Sequence, residues 1–485
     1  MKRRNLLSFS VFYLLIIIIL MDYALLLPNQ VLIMGDLDID FFIIGLIFGA
    51  YIIVSGISVI FLGYLTDIID RKKVLIIAGC VWSLTAILHV FVYEIWLFVI
   101  LRMIAAVAKG ACTPIAISYL ADIVTSEKRS KSFALWALLE TLGGLIAGML
   151  ALAFNQIPYE LIDVSSRTIT ENVTFIKTNY PDLLNTWRMP FILCGITTLV
   201  LTAINQFTAI EPKRAVKETY MDGILVDEAI QYSYKIKKSD LKHIFTRKTN
   251  IFLALNFFDV VATGILTAYI FPYIELELGI SFGDPTGLLA LMVLLLSLIP
   301  IGFIIGQFGL AHLGDKKVKE GDPTGRVKIA TMCGILNIPF FLFALSMTPN
   351  VPNKSFFFGT VIAGDIGFWF LWVIFALTLG VALGFSLGIA PNWYSSMVDA
   401  NLPEHRGTMV AMASFIDTIG RGIGAAGGGF MIMITDSFSA TLFWATLIFG
   451  ILSTLMWIPL FFYSKSDYAE IERIMKERAE ALKKN

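Results

Sequence analysis

Charge is what this 485-residue chain has least of: Asp, Glu, Lys and Arg make up 15% of it, against 57% hydrophobic residues. Water-soluble domains carry about 25% charged residues because their surfaces require it, so a soluble globular enzyme of this length is excluded. Cysteine is scarce: Cys80, Cys112, Cys194 and Cys333 lie in apolar runs, without the paired spacing of a metal site or a disulfide framework. They read as small packing residues, and no metal is expected. Neither sign of charge is in excess; 37 basic and 37 acidic residues give no hint of a nucleic-acid partner. A phosphate loop of the form G-x-x-x-x-G-K-[ST] is missing. Direct drive by ATP and a bound cofactor are therefore not expected, and a proton or other ion gradient is the expected energy source. The first apolar run, Leu6 to Leu27, is too long for a secretory signal and lacks a small-x-small cleavage site, so it reads as a retained first helix.

What the chain has instead is long apolar sequence. Runs fall at 6–27, 41–65, 74–93, 95–124, 131–155, 189–210, 250–274, 286–313, 328–347, 372–399, 407–434 and 438–464, each long enough to cross a bilayer as a helix. Continuous runs of this length exclude strands, because backbone in lipid must satisfy its own hydrogen bonds. The expected fold is an all-α polytopic membrane protein with 12 transmembrane helices. Basic residues mark the sides. Alternate connecting segments beginning with the N-terminus hold 30 of the 37, the other set only Arg167, Lys177, Arg188 and Lys354, and three lie inside spans. By the positive-inside rule both termini and the central loop are cytoplasmic, and the expected location is the cell membrane.

The charged stretch 211–249 separates two six-helix halves, 1–210 and 250–464, and a tail follows at 465–485. The halves are related. A shift of 277 lays Pro114 on Pro391, Asp122 on Asp399, Glu127 and Arg129 on Glu404 and Arg406, Glu140 on Asp417, and Gly143 on Gly420; a shift of 248 lays Asp67 on Asp315. A 6+6 repeat is the architecture of transporters that rock two halves about a central site.

Seven charges lie within spans: Asp22, Arg102, Lys109, Glu140, Asp259, Asp417 and Arg421. Each costs at least about 2.5 kcal/mol at mid-bilayer unless paired or wetted, so each must face a cavity or a partner. Asp22 and Arg102 lie at similar depth, roughly 10 Å from the outer end of their spans, and suit an ion pair. Lys109 and Arg421, near the midplane in opposite halves, suit a phosphate or carboxylate. The plainer alternatives are Lys109 with Glu140, and Arg421 with Asp417 one turn earlier. Asp259 and Glu140 are candidate proton carriers, since an unpaired carboxylate in low dielectric can titrate near neutrality; Glu140 and Asp417 could instead serve helix contacts. His89 and His312, at span ends, read as interfacial. Asp67, Arg71, Asp122 and Arg129, with Asp315, Lys316, Asp399 and Arg406, have the spacing of cytoplasmic salt bridges that latch an outward-facing state. Glycines at 143, 144, 148 and 420–429 read as helix packing, and Pro114, Pro300 and Pro391 as bends or loosened turns. Asn172-Val-Thr174 is a glycosylation-type sequon on the expected outer side. The tail puts Ile471, Ile474, Met475, Ala479 and Leu482 on one face, which suits the inner membrane surface.

Gly63-Tyr-Leu-Thr-Asp67-Ile-Ile-Asp70-Arg71-Lys72-Lys73 resembles the cytoplasmic loop signature of the major facilitator superfamily, and Arg102 that superfamily's intramembrane arginine. Ile68 stands where a basic residue is usual and Asp70 where a glycine is usual. A narrower resemblance, to the Spinster-like lipid transporters, rests on Met21-Asp22, Trp82-Ser83, Arg129-Ser130-Lys131, Trp187-Arg188 and Glu211-Pro212-Lys213-Arg214. That family has Arg after the span-one Asp and Glu seven residues after the span-four Arg, where this chain has Tyr23 and Lys109. The family's Asp and Glu look like a proton-responsive pair, of which only Asp22 carries over. The resemblance implies the major facilitator fold and a secondary transporter, not an enzyme, working by alternating access on a small anionic or amphiphilic solute such as a lysolipid. A proton-coupled drug exporter, a hydrophilic-metabolite transporter, and a non-transporting receptor or lipid-binding scaffold are the alternatives. The expected partners are the lipid bilayer and a small-molecule substrate, with the chain a monomer.

Overall fold

The computed structural model describes residues 3–123, 126–155, 157, 161–163, 166–211, 242, 246–255, 258–280, 285–348, 355–357, 360–362 and 364–484. The chain forms two compact units, Met1–Ala229 and Ile230–Asn485.

In the first unit α1 (Arg3–Leu20) stops at Met21 and the chain resumes as α2 (Asp22–Leu26), a 3-10 turn (Leu27–Asn29) and α3 (Gln30–Leu37). The segments Ser8–Leu20 and Asp22–Leu37 meet at 44°. Pro28 sits in the first turn of the short helix, where its missing N–H costs no bond. The expected span at 6–27 is thus a broken one that runs on to 37. There follow α4 (Phe41–Ile68), α5 (Arg71–Leu88), α6 (Ile95–Gly110), α7 (Cys112–Ile123), α8 (Ser126–Leu152), α9 (Ile169–Asn179), α10 (Pro181–Leu184) and α11 (Arg188–Thr208). Asp40 caps α4 by accepting from the Ile43 N–H at 2.8 Å. The outer segment before α11 is not bare loop: α9 starts on a Thr168–Glu171 capping box, and Lys177 ties it to Asp38 at 2.5 Å.

The second unit comprises α12 (Lys248–Leu255), α13 (Phe258–Pro272), a π turn (Tyr273–Glu277), α14 (Pro285–Ser297), a π stretch (Leu298–Gly309), α15 (Leu310–Lys319), α16 (Gly325–Ser346), α17 (Gly364–Asp399), α18 (Pro403–Thr435) and α19 (Phe438–Lys484). The wide π turns coincide with Pro300, which cannot donate to the regular ladder. They also lie against α17, where a Cβ on Gly306 would come within 2.3 Å of the Gly384 carbonyl oxygen. Backbone rests on backbone there, which only glycine permits.

Among the described residues nine helices are long and apolar enough to cross a membrane, ten if the bent pair is one span. The two other expected spans coincide with α8 and α18, both helical. The fold is the expected helical one, with a small addition in one connection: Met347–Thr348 (β1), Ser355–Phe357 (β2) and Thr360–Ile362 (β3) form an antiparallel sheet between α16 and α17. A short connection outside the helices can close its backbone hydrogen bonds on itself. α19 carries the tail on from the last span without a break. At its start Ile471 is buried, Asp467 accepts from the Thr249 N–H at 3.3 Å and Arg247 reaches Glu470 at 3.6 Å. The Asn172 of the sequon is buried and fully engaged. Its amide donates to the carbonyls of Asp163 and Thr168 and accepts from the Asp163 N–H at 3.0 Å.

Candidate functional site

The break at Met21 starts a new helical segment on Asp22, whose carboxylate is 1% exposed and paired with the fully buried Arg102. The pair is bidentate, with Arg102 Nη1 3.1 Å from Asp22 Oδ1 and Nη2 on Oδ2. The Tyr51 hydroxyl also donates to Oδ2. Close approach of α4 and α6 brings these groups to one level: a Cβ on Gly110 would lie 2.6 Å from the Ser58 Cβ, and Tyr51 and Arg102 stand about two turns away on the same two helices. The guanidinium also lies over the rings of Tyr51 and Phe191, at 4.7 and 5.5 Å. A buried carboxylate here is therefore compensated by a planar cation and a phenol.

Lys109, two turns farther along α6, points into aromatic surroundings. Its ammonium is 5.6 Å from the Tyr23 ring and 5.3 Å from the Tyr51 ring, a cation–π arrangement. Among the described residues no ion pair joins it to Glu140, which is exposed on α8. The alternative of a Lys109–Glu140 salt bridge is thus absent from the structure. Tyr23, standing where the Spinster-like pattern has arginine, supplies a ring to the cation.

In the second unit α13 and α18 touch backbone to backbone: a Cβ on Gly264 would lie 2.6 Å from the Arg421 carbonyl oxygen, and one on Gly424 2.2 Å from that of Val261. This contact sets Asp259 beside Asp417 and Arg421, and the three line one cavity of about 100 Å³ with Ser386, Trp393 and Tyr394. Arg421 Nε is 3.1 Å from Asp417 Oδ2, one turn earlier on α18. The local pairing holds here, and the guanidinium keeps 43% exposure. Asp259 has neither an ion pair nor a side-chain hydrogen bond among the described residues, and it also lines a second cavity.

The gate residues whose side chains are described make these contacts within their own units. Arg71, buried, is 2.8 Å from Glu211, which also accepts from the Lys72 N–H at 3.0 Å. Gly63 packs on Pro114. Asp315 and Asp399 are joined by Arg326, which lies 2.7 Å from Asp315 and also pairs with Asp399. Lys316 reaches Glu320 at 3.9 Å rather than an acidic partner from another helix. The side chains of Asp67, Asp122, Arg129 and Arg406 lie outside the described residues. His89 is not interfacial: it is fully buried, donates from Nδ1 to the Thr85 carbonyl at 2.7 Å and stacks on Phe191. Sequence reasoning missed Tyr51, Glu211 and Arg326. A signal for Arg326 existed, because it opens α16 as Arg71 opens α5, but the longer loop before it hides the correspondence.

The profile of the Major Facilitator Superfamily matches residues 12–399. The chain belongs to the major facilitator superfamily, a family of transporters rather than enzymes. An uncharacterised MFS-type transporter of Methanocaldococcus jannaschii is 22% identical over 394 residues, covering 80% of this chain and 81% of that one. A bacterial homologue of the human lysosomal transporter Spinster, solved inward-facing and unoccupied, superposes with a TM-score of 0.64 at 15% identity, covering 97% of this chain and 99% of that one. A D-xylose–proton symporter gives a TM-score of 0.59 at 12% identity, with 94% and 97% covered. At such identities the likeness is one of fold. This major facilitator protein is a multi-pass membrane protein with the fold expected from its sequence.

Proposed function

We propose that this chain is a secondary active transporter of a small anionic amphiphile, with a lysophospholipid as the first candidate, working by rocker-switch alternating access between its two halves. In this reading it sits in the cell membrane with twelve spans and both termini cytoplasmic. One observation carries the substrate class: Lys109 is a membrane-embedded cation held by the faces of Tyr23 and Tyr51 and by no carboxylate within ion-pair distance among the described residues. The nearby Asp22 is already paired with Arg102, so Lys109 has no ion-pair partner of its own among the described residues. A phosphate with an apolar tail satisfies it, the phosphate meeting the ammonium and the tail meeting aromatic surface. The likeness of fold to the Spinster homologue supports a transporter and leaves the substrate class to the Lys109 surroundings.

The test is flux of labelled lysophospholipid across liposomes containing the purified protein, with and without an imposed pH gradient. Lys109→Ala should cut flux at least about tenfold, the loss of one desolvated cation–π and ionic contact of roughly 1.4 kcal/mol or more, while leaving thermal stability within a few degrees. Full activity in that variant overturns the assignment. Flux of hydrophilic anions or drug-like cations in its place would move the protein to another substrate class, and ligand binding without flux would make it a receptor.

A further inference from the structure

We infer that the second unit holds a site for a small monovalent cation, sodium, built around Asp259 between α13, α16, α17 and α19. This deepens the transporter reading above by naming its coupling ion. The cavity is lined by Asp259 and Thr263 from α13, Asn337 from α16, Ser386 from α17 and Thr446 from α19. Its volume of about 20 Å³ is room for one water-sized species. Every polar group on that wall is an oxygen donor or an amide, the ligand chemistry of a hard cation.

Three features point to an occupant. The Asp259 carboxylate stands within a span with neither an ion pair nor a side-chain hydrogen bond among the described residues, an arrangement too costly in a membrane to be idle. Asn337 Oδ1 is a buried acceptor without a hydrogen-bond partner among those residues. Ser386 and Thr446 direct no side-chain hydrogen bond elsewhere among them, although helical serines and threonines commonly bond back to their own helix, as Thr263 does to the Asp259 carbonyl at 3.2 Å. The charge count selects the ion. One carboxylate balances a single positive charge, and the second nearby acid, Asp417, is held by Arg421, so a divalent ion would lack the anionic ligands it needs. No cationic side chain lines this cavity, so an anion has no anchor. The titratable and charged groups that face Asp259 from neighbouring helices are Asp417 and Arg421 of α18, Cys333 of α16 and Tyr394 of α17.

The test is equilibrium binding of radiolabelled sodium to the purified full-length protein in detergent, with choline chloride holding ionic strength. Saturable binding is expected in the wild type, weakened at least about tenfold in Asp259→Asn and several-fold in Thr446→Val. Addition of sodium should raise Tm by about 2–5 °C in the wild type and not in Asp259→Asn. If Asp259→Asn does not fold, Thr446→Val and Ser386→Ala carry the comparison. Absence of saturable sodium binding overturns the proposal, as does binding unchanged in these variants. A stabilisation that follows pH, ignores sodium and disappears in Asp259→Asn also overturns it, by making the occupant a proton. Binding is read without flux: a wild type that binds sodium but moves no lysophospholipid refutes the substrate reading and leaves this site, and the converse refutes this site alone.

Discussion

Arg102→Met should be among the most damaging single substitutions in the first unit, and its cost can be worked from the pair it breaks. Asp22 and Arg102 are 1% and 0% exposed, so the variant leaves a carboxylate in the protein interior with the Tyr51 hydroxyl and no ion-pair partner among the described residues. Removing one partner of a buried pair costs about 3–5 kcal/mol. A second line of reasoning gives the same scale. A stranded carboxyl can escape ionisation by taking up a proton, which at pH 7 costs an ordinary aspartic acid about 4 kcal/mol, so the loss is capped near that figure. At about 2–4 °C per kcal/mol for a unit of this size, Tm should fall by roughly 6–20 °C. The double variant Asp22→Asn/Arg102→Met removes both charges and should recover most of the loss, since replacing a whole buried pair is often nearly neutral. The assay is thermal unfolding of the four members of the cycle in detergent, with the coupling taken from the double-mutant difference. If Arg102→Met melts within 2 °C of the wild type, or if the double variant is less stable than either single one, the pair does not hold the fold as argued.

Other perturbations follow from the same geometry. Gly424→Ala places a methyl 2.2 Å from the Val261 carbonyl oxygen, so it should cost about 1–3 kcal/mol or more by overpacking and show as a lowered Tm, whereas Gly427→Ala, with open space around it, should be nearly silent. Asn172→Ala should destabilise by roughly 1–3 kcal/mol through the buried partners it leaves unpaired, and intact mass after expression in a glycosylating host should show no glycan at Asn172. Lys328, 2.6 Å from Asp322, holds that carboxyl below the usual carboxylate range through its hydrogen bond. A depressed carboxyl stabilises above its unfolded pKa of about 3.9 and loses that contribution as pH falls through its folded value. The wild type should therefore exceed Asp322→Asn in stability by up to about 1 kcal/mol at pH 7, solvent keeping the figure small, and the gap should close as pH drops below 4.

The helices and the family were readable because both rest on one-dimensional patterns: unbroken apolar runs, alternating basic loops and the Gly63–Lys73 signature. The Asp22–Arg102 pair was readable for a related reason, since depth in a bilayer is counted along the chain. Partners set by helix rotation were not. Tyr51 lies 29 residues from Asp22 on a different helix, and nothing in its spacing says which way it faces until Gly110 and Ser58 fix the contact of α4 with α6. The same holds for Glu211, whose pairing with Arg71 spans 140 residues. The break at Met21 escaped notice because apolar composition continues across it; only the buried acid beside it marks the place.

The repeat that relates the halves explains how one ancestral pattern came to carry two chemistries. Glu140 and Asp417 are mates, as are the residues one turn on from each. That next position is Gly144 in the first half, with nothing within 4 Å of where a Cβ would stand, and Arg421 in the second, where it binds Asp417. The first half thus keeps its cation on α6, as Lys109 against two tyrosines, and the second keeps its cation beside its own acid. In consequence Arg421 is spent locally and Asp259 is left without one, while Asp22, the buried acid of the first half, has Arg102 to itself. A fixed ion pair cannot load and unload an ion without breaking, whereas a lone carboxylate beside a water-sized cavity can. In the two proposals made above, the first half offers Lys109 to the substrate and the second offers Asp259 to the coupling ion, at positions the repeat does not make equivalent.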